Sequence, residues 1–260
     1  MKHSSLIATI IACNLTGGAV SAAALDMSHA TCTITAGEHA GSFSLRIGDD
    51  SCDEGRHCGS FSSDSMKRLS GITLGDLARE GSQLTAVLDA DAGRFTCAGT
   101  VHDATLRGTS SFMPHPDFVS RMAQMGFTGF DNEKLQTFTL LDIGSAWAQS
   151  LRDAGIAGMT TDNLIPLHIF KVDNAYVAEL AAMGYGKPDA EKLIALKVQG
   201  VNAEEVRQIR DLGYKPTLDE LIQIRIFHIT PEFIRSMKAR GFNDLTISKL
   251  VQIKIFKLDE

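Results

Sequence analysis

The stretch Ile229-Thr230-Pro231-Glu232-Phe233-Ile234-Arg235-Ser236-Met237-Lys238-Ala239-Arg240-Gly241-Phe242 specifies one short helix at both of its ends. Thr230 is an N-cap residue, whose hydroxyl can accept from an amide of the first turn that has no partner within the helix. Pro231 takes the first helical position, where its missing N–H is not needed and its fixed φ is already helical. Ile229 before the cap and Ile234 four residues after it form a hydrophobic staple. Gly241 then supplies a left-handed C′ residue, with Phe242 folding back on the last turn.

Working outward, the terminating glycine returns as Gly126, Gly155, Gly184, Gly213 and Gly241, at intervals of 29, 29, 29 and 28 residues. A large apolar residue follows each one: Phe127, Ile156, Tyr185, Tyr214 and Phe242. The staple recurs as Val172/Val177 and Val201/Val206. A second helix follows in each unit, marked by Leu221, Ile224 and Ile226 after a Thr217–Glu220 capping box. Its counterparts are Leu164/Leu167/Ile169, Leu193/Leu196/Val198 and Leu250/Ile253/Ile255, with the first unit divergent at Leu135/Phe138/Leu140. A helix pair of this size cannot bury its apolar face alone, so five units are expected to stack on one core. The expected architecture is α+β: a small disulfide-linked antiparallel β-domain over residues 25–113, then an α-solenoid-like repeat array over 114–260.

Residues 1–24 read as a signal peptide: Lys2, an apolar run from Leu6 to Ala12, and the small residues Ser21-Ala22-Ala23-Ala24. A rival reading takes Ile10-Ile11-Ala12-Cys13 as a lipobox that would anchor the protein to a membrane through acylated Cys13. Either way the chain is exported, to the periplasm or beyond, and the rival makes it an outer-membrane lipoprotein. Cys32, Cys52, Cys58 and Cys97 all precede the repeats. Four cysteines in an exported domain imply two disulfides, for which three pairings exist. Cys32–Cys97 and Cys52–Cys58 are favoured, because Cys32 alternates with Ile34 and Cys97 with Phe95 and Val101 on strand faces. By chain entropy the long loop is worth about 4 kcal/mol and the short one about 2 kcal/mol. A four-cysteine zinc site lacks the paired C-x-x-C spacing. Phe43/Leu45/Ile47 and Leu84/Ala86/Leu88 alternate as strands, with Asp91-Ala92-Gly93 turning a hairpin and another strand over Thr105–Phe112. Leu69 to Leu77 suggests a short helical excursion, and the β-part reads as a small sandwich or open barrel.

Net charge is −6 overall, −5 over residues 25–113 and −2 over 114–260. Without an excess of Lys and Arg, nothing favours nucleic acid. One slot of the second helix holds Thr139, His168, Lys197, Arg225 and Lys254, a column that could face an acidic peptide or an anionic glycan. A solvated helix face is the plainer reading of the same residues. A second column, Phe170, Phe227 and Phe256, is broken by Leu141 and Gln199 and suits packing between units. The acidic run Asp49-Asp50-Ser51-Cys52-Asp53-Glu54-Gly55 fails the EF-hand pattern, and His57 and His228 have no partner set by spacing. G-x-S-x-G, H-E-x-x-H and P-loop motifs are absent, so no enzyme activity, cofactor or catalytic residue is expected.

The phrase from Ile229-Thr230-Pro231-Glu232-Phe233-Ile234 to Gly241-Phe242, followed by Leu250-Val251-Gln252-Ile253-Lys254-Ile255, resembles a short bacterial repeat. Its pattern is V-T-P-E-[FY]-I, a [LM] three residues on, then G-[FY] and a leucine-rich second helix. Such repeats occur in exported proteins and in segments trailing antibiotic-sensing membrane metallopeptidases. Asp91-Ala92-Gly93-Arg94-Phe95 and Gly108 to Phe112, running into Pro116-Asp117-Phe118, are similar to the β-segment preceding such repeats. The resemblance spans most of residues 80–260 and implies a bacterial-envelope setting. The metallopeptidase zinc motif is missing, so it implies no protease activity. The expected function is an exported protein-interaction or regulatory module with an unidentified protein partner. The alternative is a binder of an anionic glycan or cell-wall fragment, and an envelope hydrolase or its inhibitor stands third.

Overall fold

The computed structural model describes residues 30–48, 59–63 and 68–258. The leader with Cys13, the acidic run at 49–55, His57 and the pair Cys52/Cys58 lie outside the described residues. The fold is α+β. Its strands are β1 (Thr31–Ala36), β2 (Phe43–Gly48), β3 (Gly59–Ser63), β4 (Leu69–Ser70), β5 (Gln83–Ala90), β6 (Gly93–His102) and β7 (Thr105–Pro114). These form one antiparallel sheet in the order β3-β2-β1-β7-β6-β5-β4, rather than the two facing sheets of a sandwich. Of the helical excursion expected over Leu69–Leu77 only the single turn α1 (Leu74–Leu77) is helical, capped by Thr73 and Asp76, while Leu69 and Ser70 pair with β5 as strand β4.

Alternation places Cys32, Ile34, Phe43, Leu45, Ile47, Ala86, Leu88, Phe95, Cys97, Val101 and Leu106 in one buried cluster. Cys32 and Cys97 are joined by a disulfide with Cα atoms 6.0 Å apart. Strand β7 lies between β1 and β6, so a flat sheet would separate them by about 9.5 Å. The sheet therefore curls sharply at β7. Gly99 and Gly108, paired across β6 and β7, permit this: a Cβ on Gly99 would come within 2.5 Å of the Gly108 Cα. Asp103 and Ala104 close the β6–β7 hairpin with φ of 49° and 56°, the two-residue turn whose twist matches paired strands.

The helices that follow are α2 (Pro116–Gln124), α3 (Asn132–Leu141), α4 (Ser145–Asp153), α5 (Thr161–Ile169), α6 (Asn174–Ala182), α7 (Ala190–Val198), α8 (Ala203–Asp211), α9 (Leu218–Ile226), α10 (Pro231–Ala239) and α11 (Ile247–Ile255). Thr230 caps α10 by accepting from the Phe233 amide, and Asp131, Thr160, Asp173, Asp189, Asn202, Thr217 and Thr246 cap other helices in the same way. At the other end of α10, Gly241 takes φ 91°, and Gly241 and Phe242 donate to the Lys238 and Met237 carbonyls. This is the glycine-terminated helix end expected from sequence. The staple pairs Ile229/Ile234, Val172/Val177 and Val201/Val206 are all buried.

Helix α5 packs on α7, α7 on α9, α9 on α11, α8 on α10 and α2 on α4. One buried cluster runs without a break from Ala92 and Phe118 to Val251. The helices and the sheet are interlocked: Ala92 sits in the helical core, Leu140 packs on the sheet core, and Phe112 touches both. Helix α3 lies against β5, β6 and β7. Arg68, leading into β4, donates to the Thr139 and Leu140 carbonyls at the end of α3.

Candidate interaction surface

The residues of the basic slot stand at equivalent points of α5, α7, α9 and α11, and each meets the third residue of the preceding helix. His168 lies edge-on to Trp147, with ring centroids 5.0 Å apart. Lys197 Nζ is 4.1 Å from the Tyr176 ring centre, and Lys254 Nζ 4.0 Å from that of Phe233. Where the aromatic gives way to Glu205, the slot holds Arg225, and the two form an ion pair at 2.8 Å. The partner thus changes with the slot: ring with imidazole or ammonium, carboxylate with guanidinium. Arg225 also donates to the Gln199 carbonyl at the end of α7, at 2.8 Å. His168 does likewise toward Leu141, at the end of α3. A cation at a helix C-terminus is favoured by the helix dipole. Burial pulls the His168 pKa below its ordinary 6.5 despite the Leu141 hydrogen bond, which favours the neutral imidazole.

All four predicted binding residues, His168, Lys197, Arg225 and Lys254, are thus half-buried and engaged within the chain. In the first unit the slot is Thr139, fully buried, with its hydroxyl returned to the Leu135 carbonyl. Phe227 packs against the core, whereas Phe170 and Phe256 stay exposed. His228 is an exposed residue just past the end of α9, with φ 52°.

The outer face of these helices is a feature that the pattern of the second helix conceals. Its first two apolar residues are buried on α5, α7 and α9, as at Leu221 and Ile224, and on α11 Leu250 is buried while Ile253 is half-buried against the core. The third is half exposed in every unit after the first: Ile169 51%, Val198 49%, Ile226 48% and Ile255 51%. At 100° per residue, Ile226 points roughly 170° away from the midpoint of Leu221 and Ile224. That rotation was the available signal, and counting apolar residues without it assigns all three to one side. Beside the ridge stand the half-buried Ile165 and Pro166 on α5, Ile194 and Ala195 on α7 and Ile222 on α9, whereas Val251 of α11 is buried in the core. These helices are therefore apolar on two faces, the mark of a helix meant to be covered on both sides.

On α3 the same positions are Gln136, Thr137 and Leu140; this helix lies against β5, β6 and β7, and Leu140 packs on the sheet core. Gln136 is buried, and its amide oxygen has no hydrogen-bond partner. The slot of the buried Gln136 is thus Ile165, Ile194 and Ile222 on the helices whose outer ridge stays open, although Gln223 and Gln252 keep the neighbouring slot polar on α9 and α11. Neighbouring second helices run parallel. Lys134 near the start of α3 pairs with Asp162 near the start of α5 at 2.9 Å, Lys192 of α7 pairs likewise with Asp219 of α9, and Arg225 joins the far ends of α9 and α7. The open face consequently has one edge carrying Asp162, Glu191 and Asp219, and an opposite edge carrying Lys171, His228 and Lys257, all exposed.

Among the described residues there is no cluster of three or more metal-ligating side chains, and no helix is long and apolar enough to cross a membrane. Tyr176 has its pKa pushed up to about 12, by burial first and then by Glu179, while its hydroxyl donates to the Val201 carbonyl at 3.2 Å. This is a structural tyrosine inside the helical core. Comparison with protein-family models, with curated proteins and with solved structures finds no match.

Proposed function

We propose that this chain is an exported bacterial envelope protein, periplasmic or secreted, whose five helix pairs stack as a solenoid-like array and serve as a protein-interaction or regulatory module. The observation that carries this reading is the open apolar face of α5, α7, α9 and α11, whose counterpart on α3 is covered by the sheet. Contiguous exposed apolar surface of this kind marks a contact site. The Cys32–Cys97 disulfide suits an oxidising compartment, and the repeat resemblance suits the bacterial envelope. The anionic-glycan alternative draws less support, because Lys197, Arg225 and Lys254 already hold partners within the chain and burial favours the neutral form of His168.

The test is crosslinking of the full chain in native envelope extract, beside an Ile169→Glu/Ile226→Glu variant and a Lys197→Ala/Arg225→Ala/Lys254→Ala variant. A protein captured by the wild type and the triple variant but lost with the two glutamates establishes the module and its face. Salt-sensitive retention on an anionic glycan that disappears in the triple variant transfers the function to the column instead.

A further inference from the structure

We infer that the partner covering the open face is a second copy of this chain, docked so that the two layers of second helices lie antiparallel across a twofold axis. The inference rests on the interaction-module reading and names the occupant of that surface. Its first support is continuity with an interface the molecule already uses. The outer face of α3 is covered by the chain's own sheet, and the same face continues uncovered over α5, α7, α9 and α11. Gln136 gives way to Ile165, Ile194 and Ile222, and Thr137 to Pro166 and Ala195, which enriches the uncovered part in apolar surface, while Gln223 and Gln252 keep the second slot polar on α9 and α11. A face that ended in solvent would carry the opposite trend.

The second support is self-complementarity. Four parallel helices give the layer an edge rich in acidic residues (Asp162, Glu191, Asp219), into which Lys192 and Lys249 intrude at the starts of α7 and α11, and an opposite edge carrying Lys171 and Lys257 with His228 between them. A twofold axis lying between the two layers, in their plane and at right angles to the helices, turns one copy over and end for end, so each acidic edge meets the partner's basic edge while the ridges of isoleucine and valine face one another. Parallel stacking would set like edges together. Asp162 and Asp219 each hold one lysine of their own layer, yet their side chains remain 80% and 75% exposed and free to take a second cation. The helix dipoles oppose one another in the same arrangement, which also favours it.

The area suffices for association of ordinary strength. Four helices of nine residues set about 10 Å apart give a layer of roughly 540 Å² per copy, or about 1,100 Å² in all. That is near the lower bound of specific interfaces, so a weak, reversible dimer is expected.

Sedimentation velocity of the purified full chain, from about 1 to about 200 µM, reads this directly. The expected result is a reversible monomer–dimer equilibrium that stops at the dimer, because a twofold contact uses up its own surface. Ile169→Glu/Ile226→Glu should weaken association by about 100-fold or more, since the charges would be buried against apolar side chains. Both positions are half exposed, so the variant should keep the wild-type circular dichroism spectrum, and Ile169→Ala/Ile226→Ala serves as a milder second variant weakened by about 10-fold. A wild type that stays monomeric throughout, a dimer unaffected by all four substitutions, or an open-ended ladder of larger species each overturns the inference. If the purified chain is monomeric while its open face crosslinks a different envelope protein, the second-copy inference fails and the interaction-module reading stands.

Discussion

Asp91 is expected to be the most consequential exposed carboxylate in the molecule, and its removal should loosen the seam between sheet and helices. Helix α4 begins at Gly144, which has no side chain to cap it. Asp91, in the β5–β6 turn and 54 residues away in sequence, supplies the missing acceptor. It takes the Ser145 amide at 2.7 Å and the Ser145 hydroxyl at 2.6 Å, and it pairs with Arg121 of α2. Loss of an N-cap acceptor costs about 1 kcal/mol. The lost charge-assisted bonds add about 1 kcal/mol more, a value discounted because the carboxylate is 32% exposed. Asp91→Ala should therefore cost about 2 kcal/mol, a drop of about 4–8 °C in melting temperature for a domain of this size. Asp91→Asn keeps an acceptor for Ser145 but not the charge for Arg121, and should fall about halfway between.

The pH dependence follows from the same contacts. Burial would raise the Asp91 pKa, but the Ser145 donors and Arg121 outweigh it and hold the carboxyl below its ordinary 3.8. A depressed folded-state pKa means that the stabilisation is complete above 3.8 and is lost as pH falls through the folded value. The gap between wild type and Asp91→Ala should then be constant at neutral pH and close under acid. Thermal melts at pH 7 and at about pH 3 measure both. A variant melting within about 1 °C of wild type at pH 7, or a gap undiminished in acid, would refute the reasoning.

The Glu205–Arg225 pair should be exchangeable for the pairing used in its neighbours. Glu205→Phe and Arg225→Lys alone should each cost about 1 kcal/mol in urea unfolding, and the double variant should recover most of the loss; simple addition of the two costs would show that the pairing is incidental. Tyr176 should stay protonated until about pH 12 in an ultraviolet titration. Because its folded-state pKa is raised from 10.0, its contribution to stability is complete below pH 10 and lost as pH climbs toward 12, and Tyr176→Phe should abolish that part of the alkaline decline. Replacing Cys32 and Cys97 together by serine should cost about 2–4 kcal/mol and remove the sensitivity of the melt to reductant at this site; a melt insensitive to the substitution would show that the curled sheet holds without its link.

Features that depend on neighbours within a few residues were legible from the chain alone. The Thr230 cap, the Gly241 terminus, the staple pairs and the Thr217–Glu220 box are i to i+5 relationships, and each is present. The β5–β6 hairpin and the buried alternation of Phe43, Leu45 and Ile47 are equally local. The slot residues were legible as a column, but not their partners. Trp147, Tyr176, Glu205 and Phe233 lie about 20 residues before the side chains they meet, and the match exists only once the helices are packed.

Sequence by itself therefore determined the repeat, the caps and glycine ends of its helices, and five of the strands with Cys32 and Cys97 on their faces, because backbone hydrogen bonding and periodicity are local, whereas β3 and β4 were not legible in it. Tertiary structure alone decided that the sheet is single and curled about Gly99 and Gly108, that Asp91 caps a helix 54 residues away, and that the outer face of α3 is covered while that of α5 to α11 is open. The physical reason is that apolar periodicity records which residues avoid water, whereas the surface that shields them is set by segments far apart in sequence.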